Sequence, residues 1–133
     1  MKENYNTCFA CGQTNRQGLK LSFELEDGIA IAHFLCPKHL EGYPGFMHGG
    51  IISTLLDEVM AKAILLGGIE AVTARMTTLY RNPIKTGMLI LLKGWIESTR
   101  GKRINTRGML ISEEGTVLAE AEAVFITTGG NHA

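Results

Sequence analysis

GGIISTLLDEVMAKAILL, residues 49–66, is the stretch whose period decides the architecture. Ile52, Leu55, Leu56, Val59, Met60 and Ala63 recur at three- and four-residue spacings, the pattern of one helical face. Gly67-Gly68 then offers a left-handed cap, so a helix is expected from Gly49 to Leu66. At ~1.5 Å per residue it would be about 27 Å long, enough to lie across a sheet. No other stretch carries a long helical signal.

Outward from this helix the period changes to two. Upstream, Leu19, Leu21, Phe23 and Leu25 alternate with Lys20, Ser22, Glu24 and Glu26, which reads as a half-buried strand. Asp27-Gly28 is a two-residue turn signal, and Ile29 to Leu35 completes a hairpin before a loop carrying Gly42, Pro44 and Gly45. Downstream, four strands are expected over Val72–Arg81, Met88–Ser98, Arg103–Ser112 and Thr116–Thr127, parted by turn residues. A lone apolar-striped helix among six strands can bury its stripe only on the sheet. The order ββαββββ therefore implies an α+β layer with an antiparallel sheet.

The chain of 133 residues, 45% of them hydrophobic, has room for one core and one domain. The expected division is an N-terminal segment over 1–18, a domain over 19–128 and a polar tail over 129–133. Thirteen basic residues balance thirteen acidic ones, so nothing draws the chain as a whole toward nucleic acid or an anionic membrane. The polar start and the lack of a long apolar run make a cytoplasmic protein the expectation. Three cysteines are too few and too odd for a disulfide scaffold, so reduced thiols or a metal site fit better.

Chemistry concentrates between Gly42 and Asp57, where a glycine-rich turn, His48 and a helix start fall together. Glycines let backbone approach a ligand closely, and helix N-terminal N–H groups point outward with partial positive charge. Such donors suit a carbonyl oxygen that becomes negative under attack. Taken alone, Gly49 and Gly50 read more simply as relief of crowding between helix and sheet. Asp57 sits inside the helix with no cation three or four positions away. It could act as a base toward water or attack a carbonyl directly. Glu58, by contrast, has Lys62 at the favourable i,i+4 spacing.

The segments Cys8-Phe-Ala-Cys-Gly, Gly18-Leu19, Glu41-Gly-Tyr-Pro-Gly-Phe-Met-His-Gly-Gly50, Leu55-Leu-Asp57 and Tyr80-Arg-Asn-Pro83 together resemble the hotdog-fold acyl-CoA thioesterases. The similarity is to the phenylacetate-pathway (PaaI-like) type within the 4-hydroxybenzoyl-CoA thioesterase superfamily, and to its mammalian members. It implies a hotdog fold, with the sheet wrapped around the central helix, and hydrolysis of an acyl-CoA thioester. It further implies Asp57 as nucleophile or general base and Thr73, sixteen residues on, as the hydroxyl that helps hold water. His48, Gly49 and Gly50 would orient the carbonyl, with the Gly50 region supplying the N–H donor. The aspartate and the His-Gly-Gly segment would come from different subunits of a homodimer or a dimer of dimers. Some relatives carry an asparagine or glutamine where this sequence has Gly42.

Glu58 and Asn82 are further candidates to line the substrate site, and Arg81, Lys102 and Arg103 to hold the CoA phosphates. Cys8, Cys11, Cys36 and His39 have spacings that a structural zinc would accept. Thioester hydrolysis requires no metal or other cofactor, and none is assigned. Two other functions fit the fold: a non-catalytic acyl-CoA sensor and a hydroxyacyl-thioester dehydratase. The His-Gly-Gly after Tyr43-Pro-Gly follows the hydrolase pattern.

Overall fold

A computed structural model describes residues 8–128. The expected tail 129–133 and the first part of the N-terminal segment lie outside the described residues. Six strands and one long helix follow in the order β1 (Glu24–Glu26), β2 (Ile29–Leu35), α1 (Gly49–Leu65), β3 (Ala71–Tyr80), β4 (Leu89–Arg100), β5 (Arg103–Ser112) and β6 (Val117–Thr127). A single 3-10 turn at Lys38–Leu40 interrupts the loop before α1. The strands form one sheet in the order β1-β2-β4-β5-β6-β3, antiparallel at every pairing. This is the α+β layout expected from the sequence.

Helix α1 lies across one face of the sheet. Its Ile52, Leu55, Leu56, Val59, Met60, Ala63 and Ile64 are buried against Ala30, Ala32, Ile90, Leu92, Ile104, Leu110 and Phe125 from the strands. Close approach depends on Gly94 and Gly108, which face each other across β4 and β5. A Cβ on Gly94 would lie 2.5 Å from the Val59 carbonyl oxygen, and one on Gly108 would lie 3.0 Å from Met60 Cγ. The pair makes a trough in which the middle of the helix rests. At its C-terminus Gly68 takes φ +94°, letting Ile69 N–H bond the Ile64 carbonyl at 3.3 Å and Gly68 N–H bond that of Leu65 at 2.9 Å.

The first strand is shorter than its alternation suggests. Lys20 adopts φ 56°, which breaks the extended line, and the N–H groups of Leu19 and Leu21 bond Phe9 and Ala10 carbonyls instead of a strand. Leu21 is still buried, whereas Leu25 at the sheet edge is exposed. Asp27 and Gly28 both have positive φ, 52° and 80°, as a type I′ hairpin turn requires. No described helix is long and apolar enough to cross a membrane.

Candidate active site

The loop before α1 is held from several sides. His48 N–H donates to the Leu40 carbonyl at 3.0 Å, Met47 N–H to that of Ile84 at 2.8 Å, and Gly42 N–H to that of Phe46 at 2.8 Å. A Cβ on Gly42 would lie 3.1 Å from His48 Cα. The position therefore packs directly on the histidine, and a side chain there would press on the His48 backbone.

His48 is the N-cap of α1, and its Nδ1 accepts the Gly50 N–H at 2.8 Å. The imidazole is thereby fixed with Nδ1 as acceptor. The Gly50 N–H, expected from the sequence as the carbonyl donor, is thus already engaged. Gly49, at the first helical position, keeps an N–H with no acceptor among the described residues. Of the two glycines, it presents the free dipole-backed donor.

Gly49, Ser53 and Asp57 are four residues apart and form a stripe along the flank of α1 that meets β3. The strand runs opposite to the helix. Tyr80, at its end, accepts from Ser53 Oγ at 2.7 Å and donates to the Gly49 carbonyl at 3.2 Å. Thr73, near its start, donates its hydroxyl to Asp57 Oδ1 at 2.7 Å. Asp57 is half-buried and Thr73 exposed, so the pair opens at the sheet edge.

A β-bulge makes the Thr73 contact possible. Met76, Thr78 and Tyr80 pair with the buried Ala123, Ala121 and Ala119 and so share the helix-facing side. Thr73, an odd position, would point the other way in a regular strand. The register shifts between Thr73 and Arg75, so Thr73 pairs with the buried Phe125 and turns toward the helix. Ser53 and Tyr80 escaped the sequence reading as site residues; the four-residue stripe from Gly49 through Ser53 to Asp57 was the available signal.

The other expected residues scatter. Glu58 turns away from Thr73, lies 3.6 Å from Lys62 and shares a cavity with Cys8 and Cys11. Arg81 is paired with Glu120, and Asn82 Nδ2 donates to the Val117 carbonyl at 2.9 Å, both beyond the Tyr80 end of β3. Lys102 and Arg103 lie at the other end, where the Lys102 carbonyl accepts from Thr127. Arg103 lines a charged groove of about 300 Å³ with Arg75, Arg107, Glu97 and Glu122, on the sheet face away from α1.

The four-residue zinc set is not assembled. Cys36 is buried at the end of β2 and His39 is exposed on the 3-10 turn, and neither joins Cys8 and Cys11. Spacing in sequence gave two ligand pairs, but the fold sends them to different places. Burial pushes the Cys36 thiol up to about 11. Burial, with help from Cys8 and against the pull of Lys62, pushes Cys11 up to about 12. Burial draws the Lys62 ammonium down, but Cys11, Glu58 and Cys8 outweigh it and leave its pKa raised.

Residues 44–119, from the loop before α1 into β6, match the thioesterase superfamily. Acyl-coenzyme A thioesterase THEM4 of Xenopus laevis is 38% identical over 91 residues, covering 66% of this chain and 40% of that protein. The chain spans less than half the length of the curated relatives it matches. A solved thioesterase superfamily protein superimposes with a TM-score of 0.87 at 28% identity, covering 91% of this chain and 60% of the other. The Streptococcus mutans UA159 protein smu.793, solved bound to acetyl CoA, gives 0.77 at 24% identity, covering 82% and 89%. With its helix on a six-stranded antiparallel sheet and a family match that takes in both the His48 cap and the Asp57–Thr73 pair, the chain belongs to the thioesterase superfamily and has its hotdog fold.

Proposed function

We propose that the chain hydrolyses acyl-CoA thioesters to free acid and CoA, at a site completed by a second copy of itself. The observation that carries this is the 2.7 Å hydrogen bond from Thr73 to Asp57 Oδ1. It fixes the carboxylate on the helix flank and leaves Oδ2 free to take a proton, while the Thr73 oxygen keeps lone pairs for a water.

In the proposed reaction, water held by Thr73 attacks the thioester carbon as Asp57 Oδ2 accepts its proton. The carbonyl oxygen becomes an oxyanion on the Gly49 N–H at the helix N-terminus. Collapse breaks the C–S bond, and the departing CoA sulfur takes the proton from Asp57. His48 shapes the donor by capping Gly50, and Tyr80 steadies the Gly49 carbonyl. No metal or organic cofactor takes part in these steps.

One chain cannot supply both ends of this site. Gly49 and Asp57 are eight residues apart on one helix, about 12 Å at ~1.5 Å per residue. A single carbonyl cannot touch both. The long edge strand β3 offers the remedy: among the described residues it has no strand beyond it, and it exposes Val72, Leu79 and Tyr80. Antiparallel pairing with the same strand of a second copy would set Thr73 beside the partner's Tyr80. Asp57 would then face the partner's Gly49, with Lys102 and the partner's Arg81 at the same end to meet CoA phosphates.

The relatives agree with this substrate class: THEM4 carries the name acyl-coenzyme A thioesterase, and the S. mutans protein holds acetyl CoA. A panel of acyl-CoAs assayed with a thiol reagent tests the proposal. Release of one CoA per acid formed is expected. Tight binding without CoA release would replace hydrolysis by sensing, and dehydration of a hydroxyacyl-CoA with the thioester intact would make it a dehydratase.

A further inference from the structure

Hydrolysis leaves one cluster of reactive side chains unused. Cys8 Sγ, Cys11 Sγ and a Glu58 carboxylate oxygen all lie within 4.8 Å of one another, and all three residues are half-buried. We propose that these three side chains are a structural site for a thiophilic divalent cation, zinc by its ligand chemistry, that clips the N-terminal segment to α1 beside Asp57.

The ligands come from two supports that are already fixed. Gly12 N–H, one residue past Cys11, closes a turn on the Cys8 carbonyl at 2.9 Å, and this turn encloses the Cys-x-x-Cys spacing that presents two sulfurs to one ion. That turn is tied down by Leu19 N–H to Phe9 at 2.7 Å and Leu21 N–H to Ala10 at 2.9 Å, with Ala10 in the core. Glu58 is carried by the middle of the long helix. With Zn–S near 2.3 Å, a tetrahedral ion draws neighbouring ligand atoms to about 3.8 Å. Side-chain rotation of roughly an ångström closes the cluster that far.

Charge and space also fit. Two thiolates and a carboxylate carry three negative charges, a divalent ion returns two, and Lys62, beside Glu58 and Cys11, supplies the last. The adjoining cavity of about 140 Å³, lined by Ala61, Leu65, Ile69 and Glu70, leaves room for a water as fourth ligand. Two sulfurs disfavour calcium and magnesium, which prefer all-oxygen shells. On binding, each thiol gives its proton to solvent, and nothing is oxidised or reduced.

The test is titration of the reduced, metal-free full chain with Co²⁺ and then Zn²⁺. One Co²⁺ per chain is expected, with thiolate-to-cobalt charge-transfer absorption and the intense visible bands of a tetrahedral ion, displaced by one Zn²⁺. Cys8→Ser and Cys11→Ser should each weaken that absorption, and Cys36→Ala should leave it intact. Glu58→Gln should lower zinc affinity by at least about tenfold. Zinc should raise the Tm of the native chain and not that of Cys11→Ser. Absence of a charge-transfer band in the native sequence overturns the proposal without any variant. So does a band that survives Cys8→Ser unchanged, or one lost with Cys36.

Discussion

The Thr73 hydroxyl reaches Asp57 Oδ1 at 2.7 Å because the bulge before Arg75 turns Thr73 onto the helix-facing side of β3. The carboxylate is thus positioned by an irregularity in the strand as much as by the helix that bears it.

Asp57→Asn keeps the shape of the side chain and removes its capacity to accept a proton. Turnover should fall by about 10²–10⁴-fold. Thr73→Ala loses one hydrogen bond to a charged group and should cost about 10- to 100-fold in kcat, with Thr73→Ser recovering most of it. Steady-state kinetics on one acyl-CoA would check the order; a Thr73→Ala enzyme of full activity would remove the hydroxyl from the account.

His48→Ala removes the acceptor for the Gly50 N–H and should lower unfolding free energy by about 1 kcal/mol in urea titrations. His48→Asn can restore the cap. If both variants match the native stability, the cap is not what holds the helix start.

Gly94→Ala would push a methyl to 2.5 Å from the Val59 carbonyl oxygen, where only backbone movement can relieve it. We expect a loss of about 3 kcal/mol. Gly108→Ala meets the flexible end of Met60 and should cost less, about 1 kcal/mol. Urea midpoints for the two variants should keep that order.

Cys36 has a folded pKa of about 11 against 9.0 for the free thiol. The unfolded chain therefore loses this proton first, so the contribution to stability is complete below pH 9 and is lost as pH rises toward 11. The decline attributable to this group is of order 2 kcal/mol. In unfolding titrations at pH 8 and pH 11, Cys36→Ala should show a smaller drop than the native chain, whatever its starting stability.

Much of the fold was legible because burial follows period. The helix stripe from Ile52 to Ala63 is the buried face, and five of the six strands run close to their expected bounds. The exception, β1, alternates through Lys20, whose positive φ no alternation pattern reveals. Gly94 and Gly108 read as ordinary strand residues until the helix is laid across them. At the site, Asp57 stood out for want of a charge partner, but Thr73 came only through resemblance, since strict alternation points it to the wrong face. Ser53 and Tyr80 meet across 27 residues, a tertiary contact with no local signature. The Cys36–His39 pair failed as a partner for Cys8 and Cys11 for the converse reason: suitable spacing within each pair says nothing about the distance between pairs.

If Asp57 of one chain works with Gly49 of another, subunit mixing reveals it most directly. Gly49→Pro removes the donor N–H at the first helical position, where proline is tolerated, and His48 already has the extended ψ of 135° that a following proline needs. Asp57→Asn and Gly49→Pro should each be nearly inactive alone. After co-refolding, half the dimers are hybrids and each hybrid has one intact site, so activity should return to about a quarter of the native value. Hybrids that form and stay inactive would contradict the shared site.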